Sequence, residues 1–118
     1  MGYRSDVGLC LSAKGKEFLD ARLAELEAGT GETRLIREVL NSHYKDDEES
    51  GAVAWFWECT KWYSEFEDVA FIENLLRNLD DEDFLFVRVG EDDNDAETSG
   101  AFWRNPFGMC MVRCISFE

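Results

Sequence analysis

Three of the four tryptophans fall within twelve residues, Ala52-Val-Ala-Trp-Phe-Trp-Glu-Cys-Thr-Lys-Trp-Tyr63, and no other stretch carries so much large apolar surface. Strand alternation places Val53, Trp55, Trp57 and Cys59 on one face and Ala54, Phe56, Thr60 and Trp62 on the other. A strand apolar on both sides belongs inside a sheet that is covered at least partly on both faces. The rest of the chain therefore has to supply neighbouring strands and covering helices.

The flanking patterns supply both. Val7-Gly-Leu-Cys-Leu11 reads as a first strand. Ser12 is a candidate N-cap for a helix carrying Phe18, Leu19, Leu23 and Leu26 at helical spacing, with Gly29 at its end. Thr30 precedes a second helical stripe of Leu35, Ile36, Val39 and Leu40. After the tryptophans, Ser64 and Glu67 fit a capping box, and Phe66, Val69, Ile72, Leu76 and Leu79 form the buried stripe of a third helix. Phe84 to Val89 is a strand, Gly90 to Asp95 a turn, Thr98 to Trp103 a candidate strand stopped by Asn105-Pro106, and Met109 to Phe117 a terminal strand. The expected order is β-α-α-β-α-β-β in a single α+β domain over residues 1–118, a mixed β-sheet packed by about three helices. Within it, the strand–helix–strand unit from Ala52 to Val89 suggests a parallel pair with a right-handed crossover.

Charge narrows the partners. Twenty-six Asp and Glu against twelve Lys and Arg give a net charge of −14, which disfavours binding to nucleic acid or anionic lipid. It favours a partner with a basic surface, and it also serves plain solubility. No apolar run reaches the roughly 18–20 residues that a membrane-spanning helix needs. The opening residues carry no basic region followed by an apolar stretch, so no signal peptide is expected. A cytoplasmic location with reduced cysteines is the expectation.

Few side chains announce chemistry. Neither phosphate-binding glycine pattern is present, nor is a Gly-x-Ser-x-Gly nucleophile. Cys10, Cys59, Cys110 and Cys114 lack zinc-site spacing and read as small apolar packing residues. The single histidine, His43, reads as a helix-end residue interacting with the last carbonyls. Asp92, Asp93, Asn94, Asp95 and Glu97 resemble a calcium loop in composition only, since Thr98 stands where the loop glycine belongs. No catalytic residue, cofactor or metal site is expected.

Two candidate sites remain. Three acidic clusters fall in turns: Asp46, Asp47, Glu48 and Glu49; Asp80, Asp81, Glu82 and Asp83; Glu91, Asp92, Asp93 and Asp95. Brought to one face, they would present carboxylates much as a duplex presents phosphates; otherwise they are solvated loops. The alternative is a ligand pocket lined by Trp55, Trp57 and Trp62, with Glu58 and Lys61 as its polar contacts. A third possibility is an aromatic strand that pairs with its own copy.

The opening Met1-Gly-Tyr-Arg-Ser-Asp-Val7, the Lys61-Trp-Tyr63 piece followed by Val69 and a helix, and Val87-Arg-Val-Gly-Glu-Asp92 with Asp95 beyond it resemble a family of short uncharacterised proteins of phages, prophages and bacteria. The similarity runs in order over nearly the whole chain; only Ala101 to Met109 matches no pattern. The family has no assigned activity, so the resemblance implies context alone. That context is a small accessory protein of a mobile element, a binder or inhibitor of a host component such as a nucleic-acid-binding protein.

Overall fold

Among the described residues the fold has nine short elements, with the first strand at their centre. A computed structural model of the protein describes residues 2–29, 33–92 and 94–109. In chain order they are β1 (Ser5–Leu11), α1 (Ala13–Ala28), α2 (Arg34–Leu40), β2 (Tyr44–Asp46), β3 (Val53–Thr60), α3 (Glu67–Arg77), a 3-10 turn (Asp81–Asp83), β4 (Phe84–Gly90) and β5 (Ala96–Gly100). The fold is α+β in the expected element order. The expected terminal strand lies outside the described residues beyond Met109.

The sheet runs β2-β3-β1-β4-β5, and every neighbouring pair is antiparallel. This corrects the expected parallel pairing. β3 and β4 do run in the same direction, but β1 lies between them and bonds to both. It also corrects which strand is central. β1 takes that place because Val7, Leu9, Cys10 and Leu11 are each at most 1 % exposed, so it is buried on both faces. β3, one step further out, is not: Phe56 on its far face is 51 % exposed.

All three helices contribute to one face. Leu19 and Leu23 of α1, Ile36 and Leu40 of α2, and Ile72, Leu75 and Leu76 of α3 pack with Val7, Leu9, Leu11, Val53, Trp55, Trp57, Phe84 and Phe86. The opposite face carries a smaller cluster, Cys10, Ala54, Leu85 and Val87, against which Phe102, Phe107 and Met109 lie.

Local details show which signals the chain obeys. The Ser12 hydroxyl accepts from the Gly15 N–H and caps α1, and Gly29 ends it by donating to the Glu25 carbonyl. The capping box at Ser64 does not form. Residues 64–66 make a turn, and α3 starts at Glu67 with Phe66 as an N-cap that offers no side-chain hydrogen bond. Glu67 and Asp68 in its first turn complement the helix dipole instead.

α2 has only seven residues, too short to be stable alone. The tryptophan strand holds its C-terminus: the Trp55 indole donates to the Leu40 carbonyl at 2.8 Å and the Trp57 indole to the Val39 carbonyl at 3.1 Å. Those indoles take the part expected of His43, which follows the helix at a left-handed φ of 55°. An ion pair between Arg37 and Glu27 also ties α2 to α1.

Candidate functional site

Register decides where each acidic turn falls. Leu11 pairs with Val53 and with Phe84, Val53 pairs with Asp46, and Leu85 pairs with Gly100. The β2–β3 turn and the 3-10 turn before β4 therefore lie at one end of the sheet, here called the upper end. At the other end Ser5 pairs with Thr60 and Gly90, and the β4–β5 turn lies there. Two acidic clusters share an end; the third is at the opposite one.

At the upper end the two clusters flank the start of α1. The Ser12 hydroxyl donates to the Asp83 carboxylate at 2.9 Å, and the Ser12 N–H donates to the Asp83 carbonyl. Gly51, ending the other cluster, lies against Ala13. From β2 to β4 is three strand spacings, roughly 14 Å. Asp46, Glu48, Glu49, Asp80, Asp81 and Glu82 are exposed. Among the described residues, the ion pair at this end is Lys14 to Asp80 at 3.7 Å, itself open to solvent and worth little.

Two members are occupied within the fold. Asp83 is buried, and Asp47 accepts from both the N–H and the hydroxyl of Ser50 to shape its turn. Carboxylate oxygens of Asp80, Glu82 and Asp83 lie within 4.8 Å of one another. Such crowding of like charge is relieved by a cation placed among them.

At the lower end two carboxylates, Asp95 and Glu97, are spent on one arginine, while Glu91 and Asp92 stay exposed. Arg88, whose side chain is 16 % exposed, donates to both Asp95 carboxylate oxygens at 2.7 and 3.1 Å, to Glu97 at 2.6 Å and to the Ser5 hydroxyl at 3.0 Å. The Tyr3 hydroxyl donates to Asp95 at 2.6 Å and accepts from the Asp92 N–H, while the Arg4 N–H donates to Glu91. The Asp95 carboxyl is held down from its ordinary 3.8 to about 2, first by the Arg88 hydrogen bond and then by that of Tyr3. The Asp92 N–H favours ionised Tyr3, but the Asp95 hydrogen bond, burial and nearby negative charge raise its pKa on balance. Asp93 lies outside the described residues. Residues far apart in sequence meet here: Tyr3 bonds to Asp95, and the Tyr63 hydroxyl donates to the Tyr3 carbonyl.

Trp55, Trp57 and Trp62 stack in series, with Tyr44 and Phe86 tilted against the two ends. Successive centroids are 5.6 Å from Tyr44 to Trp55, 6.1 Å to Trp57, 5.7 Å to Trp62 and 5.8 Å to Phe86. Trp62 was expected on the face opposite Trp57. Between the pairs Val7–Trp57 and Ser5–Thr60, β3 spends one more residue than β1, and Cys59 takes a φ of 53°. That bulge inverts the alternation and returns Trp62 to the helix side.

An open cleft of about 480 Å³ lies beside the lower half of the stack, with Trp57, Glu58, Lys61 and Trp62 among its lining residues. Arg4, His43, Cys59 and Asp68 also line it, a grouping that no spacing or motif announces. Trp55 does not line this cleft. The rings lie against one another, so the cleft meets a stack already engaged rather than a free ring face. The Trp62 indole N–H is buried without a hydrogen-bond partner among the described residues.

No family model matches the chain, and no curated protein and no solved structure matches it either. No helix among the described residues is long and apolar enough to cross a membrane.

Proposed function

We propose that this is a non-catalytic interaction protein that binds a basic protein surface through the upper, acidic end of its sheet. The observation that carries this reading is the contrast in pairing. Asp46, Glu48, Glu49, Asp81 and Glu82 are exposed around the start of α1 and carry no ion pair within 4.0 Å among the described residues. Charges left unpaired at one end steer a cationic partner and fix its orientation. With the family resemblance, the partner in view is a host nucleic-acid-binding protein whose basic surface the acidic end occupies.

The test is a pull-down from nuclease-treated bacterial lysate, washed across a salt series. A basic partner should be retained at low salt and lost as salt rises. The combined variant Asp80→Asn, Asp81→Asn, Glu82→Gln should lose it too. Asp83 is left intact because it holds Ser12. Retention that survives both changes rejects the reading.

A second reading is favoured by one observation, the unpartnered Trp62 N–H beside the open cleft. A small ligand with a hydrogen-bond acceptor would bind there between Lys61 and Glu58. Ligand screening by tryptophan fluorescence tests it: a saturable change abolished by Lys61→Ala supports it, and none across the screen rejects it.

A further inference from the structure

Part of the second face of the sheet is covered by a strap, and a methionine sulfur lies among its contacts. Residues 101–109 leave β5, with the Ala101 N–H donating to the Asp81 carbonyl and the Phe102 N–H to the Phe84 carbonyl. Asn105 is buried and organises the rest. Its amide donates to the Phe102 and Met109 carbonyls, and its side-chain oxygen accepts from the Phe107 and Met109 N–H groups. These bonds shape the strap internally but do not attach it to the sheet. Attachment comes from Phe102, Phe107 and Met109 lying against Cys10, Ala54, Leu85 and Val87.

Met109 makes close contact with the central strand. Its sulfur sits over Gly8 so closely that a Cβ there would come within 2.8 Å of it. It also accepts from the Cys10 thiol at 3.5 Å. Cys10 is fully buried, and loss of solvent pushes its thiol up to about 12. Met109 itself is only half-buried, whereas the thiol beneath it is closed off from solvent.

We propose that Met109 is an oxidation-sensitive latch, and that its conversion to the sulfoxide by hydrogen peroxide lifts the strap and uncovers Cys10. The sulfur lone pair attacks one peroxide oxygen, the O–O bond breaks, and the other oxygen leaves as water after proton transfer. Sulfur is oxidised by two electrons and the peroxide is reduced. The product is bulkier and strongly polar. Its added oxygen sits on a sulfur already in contact with Gly8 and the Cys10 thiol, beside apolar side chains where an uncompensated polar group is costly. The change is reversible by methionine sulfoxide reduction, as a switch requires.

The test treats the whole protein with hydrogen peroxide, reduces its thiols with dithiothreitol, and alkylates them under native conditions. Peptide mapping then reads the oxygen added at Met109 and the alkylation rate at Cys10 separately from the exposed Cys59. Oxidation at Met109 should raise Cys10 alkylation by about tenfold or more, the mark of local opening. Met109→Leu should keep Cys10 protected after the same treatment. Full oxidation at Met109 with Cys10 still protected overturns the proposal. So does a Met109 that resists peroxide, or equal exposure of Cys10 in Met109→Leu.

Discussion

The two ends of the sheet are built from the same residue types and do opposite things with them. At the lower end, Asp95 and Glu97 converge on Arg88, and Tyr3 and Ser5 complete the cluster. At the upper end, Asp46, Glu48, Glu49, Asp81 and Glu82 surround a helix start that is already capped by Ser12 and Asp83. Acidic composition alone does not separate a structural clamp from a docking surface. The number of cations within reach does, because a carboxylate paired inside the fold has little left to offer a partner.

The largest test breaks the clamp. Arg88→Met removes four side-chain hydrogen bonds and should lower the unfolding free energy by about 2–3 kcal/mol in urea titration. The triple neutralisation of Asp80, Asp81 and Glu82 should stay within about 0.5 kcal/mol of the parent, as exposed positions do. Equal losses in the two variants would erase the distinction.

Gly90→Ala sharpens the same point without changing charge. A Cβ at Gly90 would collide with the Asp95 carboxylate and the Tyr3 hydroxyl. The clamp must shift, at a cost of about 1–3 kcal/mol. Tyr3→Phe, removing only the hydroxyl, should cost less than Gly90→Ala. Both are read from the same urea midpoints.

The smallest effect is in pH. The Asp95 carboxyl is depressed in the folded protein from 3.8 to about 2. Its contribution is therefore fully present above about pH 4 and is lost as pH falls through about 2. Acid titration of stability should show that loss in the parent and a shallower one in Asp95→Asn. An unchanged profile would remove Asp95 from the clamp.

Much of the fold was legible because its signals are local. The stripes at Leu19 and Leu23 and at Ile72 and Leu76, the cap at Ser12 and the stop at Gly29 depend on spacing within one helix. The insertion of β1 between β3 and β4 was not legible, since both neighbours are distant in sequence and alternation does not name a partner. Trp62 was misplaced for a related reason. A bulge at Cys59 changes parity, and nothing in the residue types there marks it. The acidic turns were legible as turns. Their division into two ends depends on register, and so does the fate of Asp95, whose arginine lies seven residues back on the neighbouring strand.

The most direct measurement is an NMR titration of the backbone amides with a short arginine-rich peptide at low and at high salt. The account predicts shifts concentrated at residues 46–51 and 80–83, vanishing as salt rises, with little response across 91–97. Shifts of equal size in the β4–β5 turn, or none at the upper end, would contradict it.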